Sequence, residues 1–469
     1  MVYTSKPCTV LLLGWLASHV LAGLTDGGIQ HLFVLTGLVV LNSFLYRQMR
    51  FQTDILWCGI GLTLLFAVVA YFQYINAVAL GYCDGMLYGA VGVKHEYYDL
   101  SEYYYESKQL ADLVVTNAGR DLWMSGSLSN DGTYGPYNAF NVLNTIMMLL
   151  YGDNVITLVL LKMNFSVVAI YLLYGIANRF LSPAFAFYSV LAYNLYPGYL
   201  VGVTNLLRDN IIATLIIGLA YIITAAWDPP GKLSLVRKII TIILCGILLY
   251  FRNYAFGILV VTAAIYYYSN SYRWQKLTIL IGLVSISILG FTLGNEIQYV
   301  LAELYQEDGP HLWESSAPSS VRMLLRVVYF MFLGQPGKGE DFYLWSVTEW
   351  LNFSGFVYLH FFLLMSLVGL YYLISGRLNK GEKTAILVFG YIMPFLFLLL
   401  ITYIFGWPIP RLYSMWLWIT CIVVMIFLES VNDYWKIIWI GSVIAVISAF
   451  YFLQYSPFGG ILRIGALVQ

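Results

Sequence analysis

Asp99 and Glu102 stand three residues apart in Tyr97-Tyr98-Asp99-Leu100-Ser101-Glu102, and three arginines, Arg208, Arg252 and Arg411, stand among apolar residues much further along the chain. A carboxylate can take the proton of a hydroxyl while that oxygen attacks an electrophile. A guanidinium offers a fork of N–H groups that fits phosphate oxygens two at a time. Together these residue types suit transfer of a group onto a hydroxyl with a phosphate as leaving group. The Asp99 to Glu102 spacing is also that of a capping box at the start of a helix, and the two roles are compatible.

The arginines lie in Leu206-Leu207-Arg208-Asp209-Asn210, Tyr250-Phe251-Arg252-Asn253 and Pro408-Ile409-Pro410-Arg411-Leu412. Charges this close to hydrocarbon need a partner or a role. Arg208 and Asp209 are adjacent, so on a helix they point about 100° apart and their partners lie elsewhere. For Arg208 the alternatives are phosphate binding and a buried structural pair. For Arg252 and Arg411 the plainer alternative is snorkelling to headgroups, and Lys162, inside an apolar run, either snorkels or binds phosphate.

The elements that must position these groups are helices in lipid. Of 469 residues, 60% are hydrophobic and 10% charged, and the mean hydropathy is +0.77. That leaves too little polar surface for a soluble globule. Apolar runs of about 20 residues recur, where a β-barrel would show alternating segments of about ten. Zero net charge gives no sign of nucleic acid, and the five cysteines show no metal or CxxC spacing.

Apolar runs predict thirteen spans, near 8–24, 30–46, 54–76, 154–178, 182–200, 203–226, 236–251, 254–270, 277–295, 354–375, 384–405, 411–429 and 436–454. The first lacks a convincing cleavage site and reads as a retained helix. With a cytoplasmic N-terminus the inner loops collect 13 of the 24 basic residues and 5 of the 24 acids, as the positive-inside rule asks. The chain then reads as one all-α membrane domain: an N-terminal helix pair (1–53), a core (54–295) with an outer loop (77–153), a second outer loop (296–353) and C-terminal helices (354–469). The first outer loop carries an amphipathic helix, Ser101 to Val115, a Gly119 to Gly135 turn region, and an apolar run of about 15 residues, too short to span.

Nucleotide sugars are made in the cytoplasm, so an outer-face site with phosphate-binding arginines favours a donor carried across on lipid. No phosphate-cradling Gly motif argues for a nucleotide. Tyr98 and Tyr137 add aromatic faces and hydroxyls that suit a sugar.

The order Tyr98-Asp99-Leu100-Ser101-Glu102-Tyr103-Tyr104, then Gly135-Pro136-Tyr137-Asn138, Leu149-Leu150-Tyr151-Gly152-Asp153-Asn154, Leu195-Tyr196-Pro197 and Leu207-Arg208-Asp209 resembles the front half of GT-C-fold membrane glycosyltransferases. The likeness is to bacterial proteins of glycosyltransferase family 39, the protein-mannosyltransferase and aminoarabinose-transferase group, over about residues 75 to 270. It implies a GT-C-like bundle of about 13 transmembrane helices with amphipathic juxtamembrane helices on the outer face. It also implies a polyprenyl-phosphate or pyrophosphate sugar donor and an envelope glycan, lipid or protein acceptor. By that resemblance an acidic residue of the first outer loop is the base; the loop lacks a plain Asp-Glu pair, so Asp99, Glu96 and Glu102 all stay open, with Asp99 taken as the base and Arg208, Arg252, Arg411, Asp209, Glu102, Tyr98, Tyr137 and Lys162 as substrate-binding residues. A divalent ion, magnesium or manganese, held by Asp99 with Glu96 or Asp209 stays open, and no metal ligand set is assigned. In the family the acidic loop follows the first span, whereas here three spans precede it, which makes the first two an addition.

Three rivals stand beside this expectation. An O-antigen or exopolysaccharide polymerase or ligase would centre on the late loop 296–353. A transporter or lipid-linked-oligosaccharide flippase would carry charges along a path at mid-membrane depth. A non-catalytic envelope scaffold is the third.

Overall fold

The structure is a computed structural model that describes residues 5–24, 28–49, 51–79, 99–116, 139–225, 235–270, 347–375, 386–398 and 410–455. These residues are helical apart from short turns and connections, with no strand among them. The chain divides into two compact units, one from Met1–Asn253, Gly337–Phe362 and Pro410–Lys436, the other from Tyr254–Pro336, Leu363–Ile409 and Ile437–Gln469.

The first unit opens with α1 (Ser5–Leu24), α2 (Ile29–Met49) and α3 (Thr53–Ala79). Then come α4 (Asp99–Val115), α5 (Ala139–Tyr151), α6 (Val155–Ala177), α7 (Pro183–Asn194), α8 (Pro197–Thr204), α9 (Asp209–Ala225) and α10 (Leu235–Phe251). Further on lie α11 (Asn253–Asn270), which belongs almost wholly to the second unit, and α12 (Val347–Ser375), which begins in the first. The first unit also holds α13 (Pro410–Tyr413) and α14 (Leu417–Ser430), and most of α15 (Asp433–Tyr455) lies in the second.

Among the described residues four helices are long and apolar enough to cross a membrane: the Pro7–Leu24 part of α1, Ile29–Met49, Thr53–Ala79 and Val155–Ala177. The bent pair α8 and α9 makes a fifth if counted as one span. Among the described residues the expected all-helical architecture holds, while the long apolar helices number four or five and not the expected thirteen; the expected span 277–295 and most of the expected loop 296–353 lie outside the described residues, and α12 takes up the end of that loop from Val347. The expected spans 182–200 and 203–226 divide differently. A first segment stops at Asn194, a second runs over Pro197–Thr204, and the third starts only at Asp209.

Local chemistry explains these boundaries. Pro183 and Pro197 each open a helix, where a missing N–H removes no hydrogen bond. The Glu429 carboxylate accepts the Ser182 N–H at 3.0 Å, putting an anion at the positive end of α7. At the joint between α5 and α6, Gly152 has φ +82°, the left-handed conformation that ends a helix without a Cβ clash, and its N–H donates to Met148 O at 2.8 Å. Two residues on, the Asn154 side chain accepts the Thr157 N–H at 3.1 Å and starts α6.

α6 is the spine of the first unit, buried along nearly its whole length and packed by α2, α3, α7 and α9. Neutral polar contacts join it to the N-terminal helices. Trp15 Nε1 donates to Asn164 Oδ1 at 3.0 Å, His31 Nε2 lies 3.0 Å from Thr157 Oγ1, and Tyr171 OH donates to Asn42 Oδ1 at 3.1 Å. Gly59 sits directly against Asn42 and Tyr171, so a side chain there would displace both.

Among the described residues of the second unit, ring contacts and side-chain to backbone bonds recur. The rings of Tyr266 and Phe389 lie 5.5 Å apart, and Tyr391 OH donates to Ser366 O at 2.7 Å beside a π-helical turn, Val388–Ile392.

Candidate functional site: a helix break ringed by charges

Between α8 and α9 the chain turns through 112°. The break falls at Asn205-Leu206-Leu207-Arg208, the polar-flanked dipeptide between two apolar runs. Asn205 is extended (φ −119°, ψ 166°), so the last carbonyls of α8 receive no continuing helix. Its side chain donates to Val201 O at 3.1 Å and to Gln73 Oε1 at 2.7 Å, and Thr204 Oγ1 donates to the same Gln73 oxygen at 2.9 Å. A glutamine of α3 thereby clamps the end of α8.

Lys162 fills the inside of the bend. Its side chain is 0% exposed, and its Nζ donates to Gly202 O at 2.5 Å, Asn205 O at 2.5 Å and Leu207 O at 2.7 Å. An ammonium has three N–H groups, and each meets one carbonyl. The sequence left Lys162 between snorkelling and phosphate binding; the geometry gives it to the backbone of the break.

Asp209 opens α9 and is 2% exposed. A carboxylate in a first helical turn is favoured by the exposed N–H groups there. Its Oδ1 accepts from Arg252 NH1 at 3.3 Å, and both side chains are buried. Arg252 itself stands at the joint where α10 ends, its N–H bonded to Leu248 O at 2.8 Å. The expectation that Arg208 and Asp209 find partners elsewhere agrees with this geometry. Arg252, expected to snorkel or to bind phosphate, is paired with Asp209 across 43 residues.

Arg208 is half-buried, donates from NH1 to Phe251 O at 3.3 Å, and sets its guanidinium 5.5 Å from the ring centre of Tyr103. Tyr103 belongs to the amphipathic helix α4, expected from Ser101 and observed from Asp99. Asp99 is one turn before Tyr103 on the same face, about 6 Å along the axis. Helix α4 of the early hydrophilic segment therefore meets Arg208 at the break.

The break lies below the N-terminal end of α6. Lys162 is seven residues past Val155, about 10 Å along the helix. Asn210 Nδ2 donates to Ser166 Oγ at 3.0 Å and Thr214 Oγ1 to Phe165 O at 3.0 Å, which fixes the first turns of α9 at that level.

α4 is held over the break by α5. Thr145 Oγ1 donates to Ser107 O at 3.1 Å, Asn141 Nδ2 donates to the Glu106 carboxylate, and the rings of Tyr103 and Phe140 meet edge-on at 5.0 Å. At the rim Lys108 Nζ lies 2.6 Å from Asp153 Oδ2, and that ammonium holds the Asp153 carboxyl below its usual range.

Tyr98 and Tyr137 lie outside the described residues, as do the side chains of Asp99, Glu102 and Arg411. Glu102 is a position on α4, one turn before Glu106. Arg411 is a position on α13, which packs against α8. Among the described residues no group of three or more His, Cys, Asp or Glu could hold a metal ion; Glu96 and the Asp99 side chain lie outside the described residues.

Gln73 and Asn205 are the site residues that the sequence did not single out. Each is a lone amide in apolar surroundings, and that isolation was the available signal.

A scan against family models, a search of curated proteins and a search of solved structures each found no match for this chain.

Proposed function

We propose that the protein is an integral membrane glycosyltransferase of GT-C type, moving a sugar from a polyprenyl-phosphate or pyrophosphate donor to a hydroxyl of an envelope glycan, lipid or protein. The site faces the extracytoplasmic side, in a bundle of about 13 spans with the N-terminus cytoplasmic. The observation that carries this reading is the 5.5 Å approach of Arg208 to Tyr103, on the helix that begins at Asp99. It supports a common site for a carboxylate and a guanidinium that are 109 positions apart in the chain.

In this mechanism Asp99 takes the acceptor hydroxyl's proton while that oxygen attacks the anomeric carbon from the side opposite the lipid phosphate, inverting the configuration. Arg208 binds the departing phosphate, with Arg411 contributing from α13. Asp209 fixes Arg252 behind Arg208, and Lys162 fixes the backbone from which Arg208 projects. Glu102, Tyr98 and Tyr137 line the acceptor side. The divalent cation stays an open element of the proposal.

The test is transfer of labelled sugar from a polyprenyl-phosphate donor pool in membranes bearing the wild type or Asp99→Asn, with folding checked by monodisperse elution. Loss of a general base lowers the rate by about 10²–10⁴-fold. Full transfer by a folded Asp99→Asn protein removes the proposed base.

One observation favours a second reading. A span broken at buried charges is how many transporters build a site within the membrane. Vesicles that move a lipid-linked oligosaccharide across the bilayer without any sugar transfer would favour a flippase instead.

A further inference from the structure

We propose that the carbonyl oxygens of Gly202, Asn205 and Leu207 form a monovalent-cation cage that Lys162 fills with its own ammonium, and that the cage takes a free monovalent cation when the side chain is shortened. The proposal is independent of what the neighbouring site transfers.

The cage follows from the break. A helix that stops leaves its last carbonyls short of helical N–H partners, and the dipole concentrates negative potential there; of the three oxygens, that of Asn205 also accepts the Leu207 N–H at 2.8 Å. Here that end is buried: Gly202 lies in the last turn of α8, Asn205 is its cap, and Leu207 is in the connection. All three oxygens turn to one point and sit 2.5, 2.5 and 2.7 Å from Nζ. Rings of backbone carbonyls replace the hydration shell of a monovalent ion in the same manner. In broken transport helices unwound carbonyls and helix C-terminal ends coordinate such ions. What differs is the tether. The cation arrives on a fully buried four-carbon stem, so the site is permanently loaded and has no release step. Two residues after the Leu207 carbonyl, the buried Asp209 opens α9, so the cage ends where that helix starts.

A stability measurement on the purified, full-length protein in detergent tests this. Lys162→Ala leaves the cage and the stem channel empty, so ammonium, potassium and n-propylammonium chlorides are compared with choline chloride at equal ionic strength. The expected result is a rise in Tm of about 3 °C or more for the variant in at least one of the three small cations, largest for n-propylammonium, which refills stem and head together. The wild type, its cage already filled, shows no rise over choline. Lys162→Met, with an uncharged side chain of similar length, is expected to be less stable than the wild type and indifferent to the cation.

Three results overturn the proposal. They are a Lys162→Ala protein indifferent to all three cations, a wild type that responds equally, and a Lys162→Met protein as stable as the wild type. If Lys162→Ala is not recovered folded in choline, the readout becomes the monodisperse yield after solubilisation in each salt. Recovery in a small cation supports the cage, and recovery in none overturns it.

Discussion

The two flanks of α6 differ in whether they carry charge. Toward α1–α3 the partners are neutral: Trp15 with Asn164 at 3.0 Å, Asn42 with Thr63 at 3.1 Å, Tyr171 with Asn42 at 3.1 Å. Toward α8–α10 neutral contacts, such as Asn210 with Ser166 at 3.0 Å, are joined by charged groups, Lys162 on three backbone carbonyls and Asp209 on Arg252. Neutral pairs between apolar helices act as glue, and each is replaceable, because a lost amide or hydroxyl contact is small. A buried charge is not replaceable singly, since its partner is left charged in a low-dielectric setting. The charged flank therefore behaves as one unit, and the neutral flank as a sum of parts.

The contrast is tested most severely at the ion pair. Arg252→Leu deprives buried Asp209 of its guanidinium and is expected to lower stability by about 3–5 kcal/mol, while the Arg252→Leu/Asp209→Leu double variant regains most of that loss. Thermal unfolding in detergent measures both, and additive losses would erase the distinction between the flanks. On the neutral side, Asn42→Leu is expected to lower stability by only about 0.6–1.7 kcal/mol in the same assay. A loss as large as that of Arg252→Leu would show that the neutral flank is also cooperative.

Tyr103 sharpens the boundary between the flanks. Tyr103→Leu removes the ring from Arg208 and is expected to weaken the docking of α4 by about 0.5–2 kcal/mol. Hydrogen exchange along α4 reads this directly. The smallest effect belongs to Lys108 and Asp153 at the rim. The Asp153 carboxyl titrates below its usual range, so its contribution is complete above the ordinary aspartate value and fades as pH falls through the lowered one. An Asp153→Asn protein is expected to match the wild type in that acid range and to be slightly less stable at neutral pH, as thermal scans at the two pH values would show.

Much of this was readable in the sequence where a local pattern dictates a local outcome. The amphipathic helix was expected over Ser101 to Val115 and found over Asp99–Val115, because its polar and apolar periodicity needs no distant partner. The apolar run ending at Tyr151 was recognised as too short to span, and it forms α5 (Ala139–Tyr151). The break itself was half legible: a new span was expected from residue 203, yet Asn205 and the Lys162 contacts delay the helix to Asp209. What stayed hidden were partners without a sequence signature. Backbone carbonyls, which hold Lys162, look the same in every residue, and nothing local links Asp209 to Arg252 or Asn205 to Gln73.

The place of the break in the chain has a consequence for assembly. The carbonyls that receive Lys162 come 40 to 45 residues after it, and Arg252 comes 43 residues after Asp209. The ammonium inside α6 therefore meets its cage only once the chain through Leu207 has been made, and Asp209 meets Arg252 only once α10 is complete.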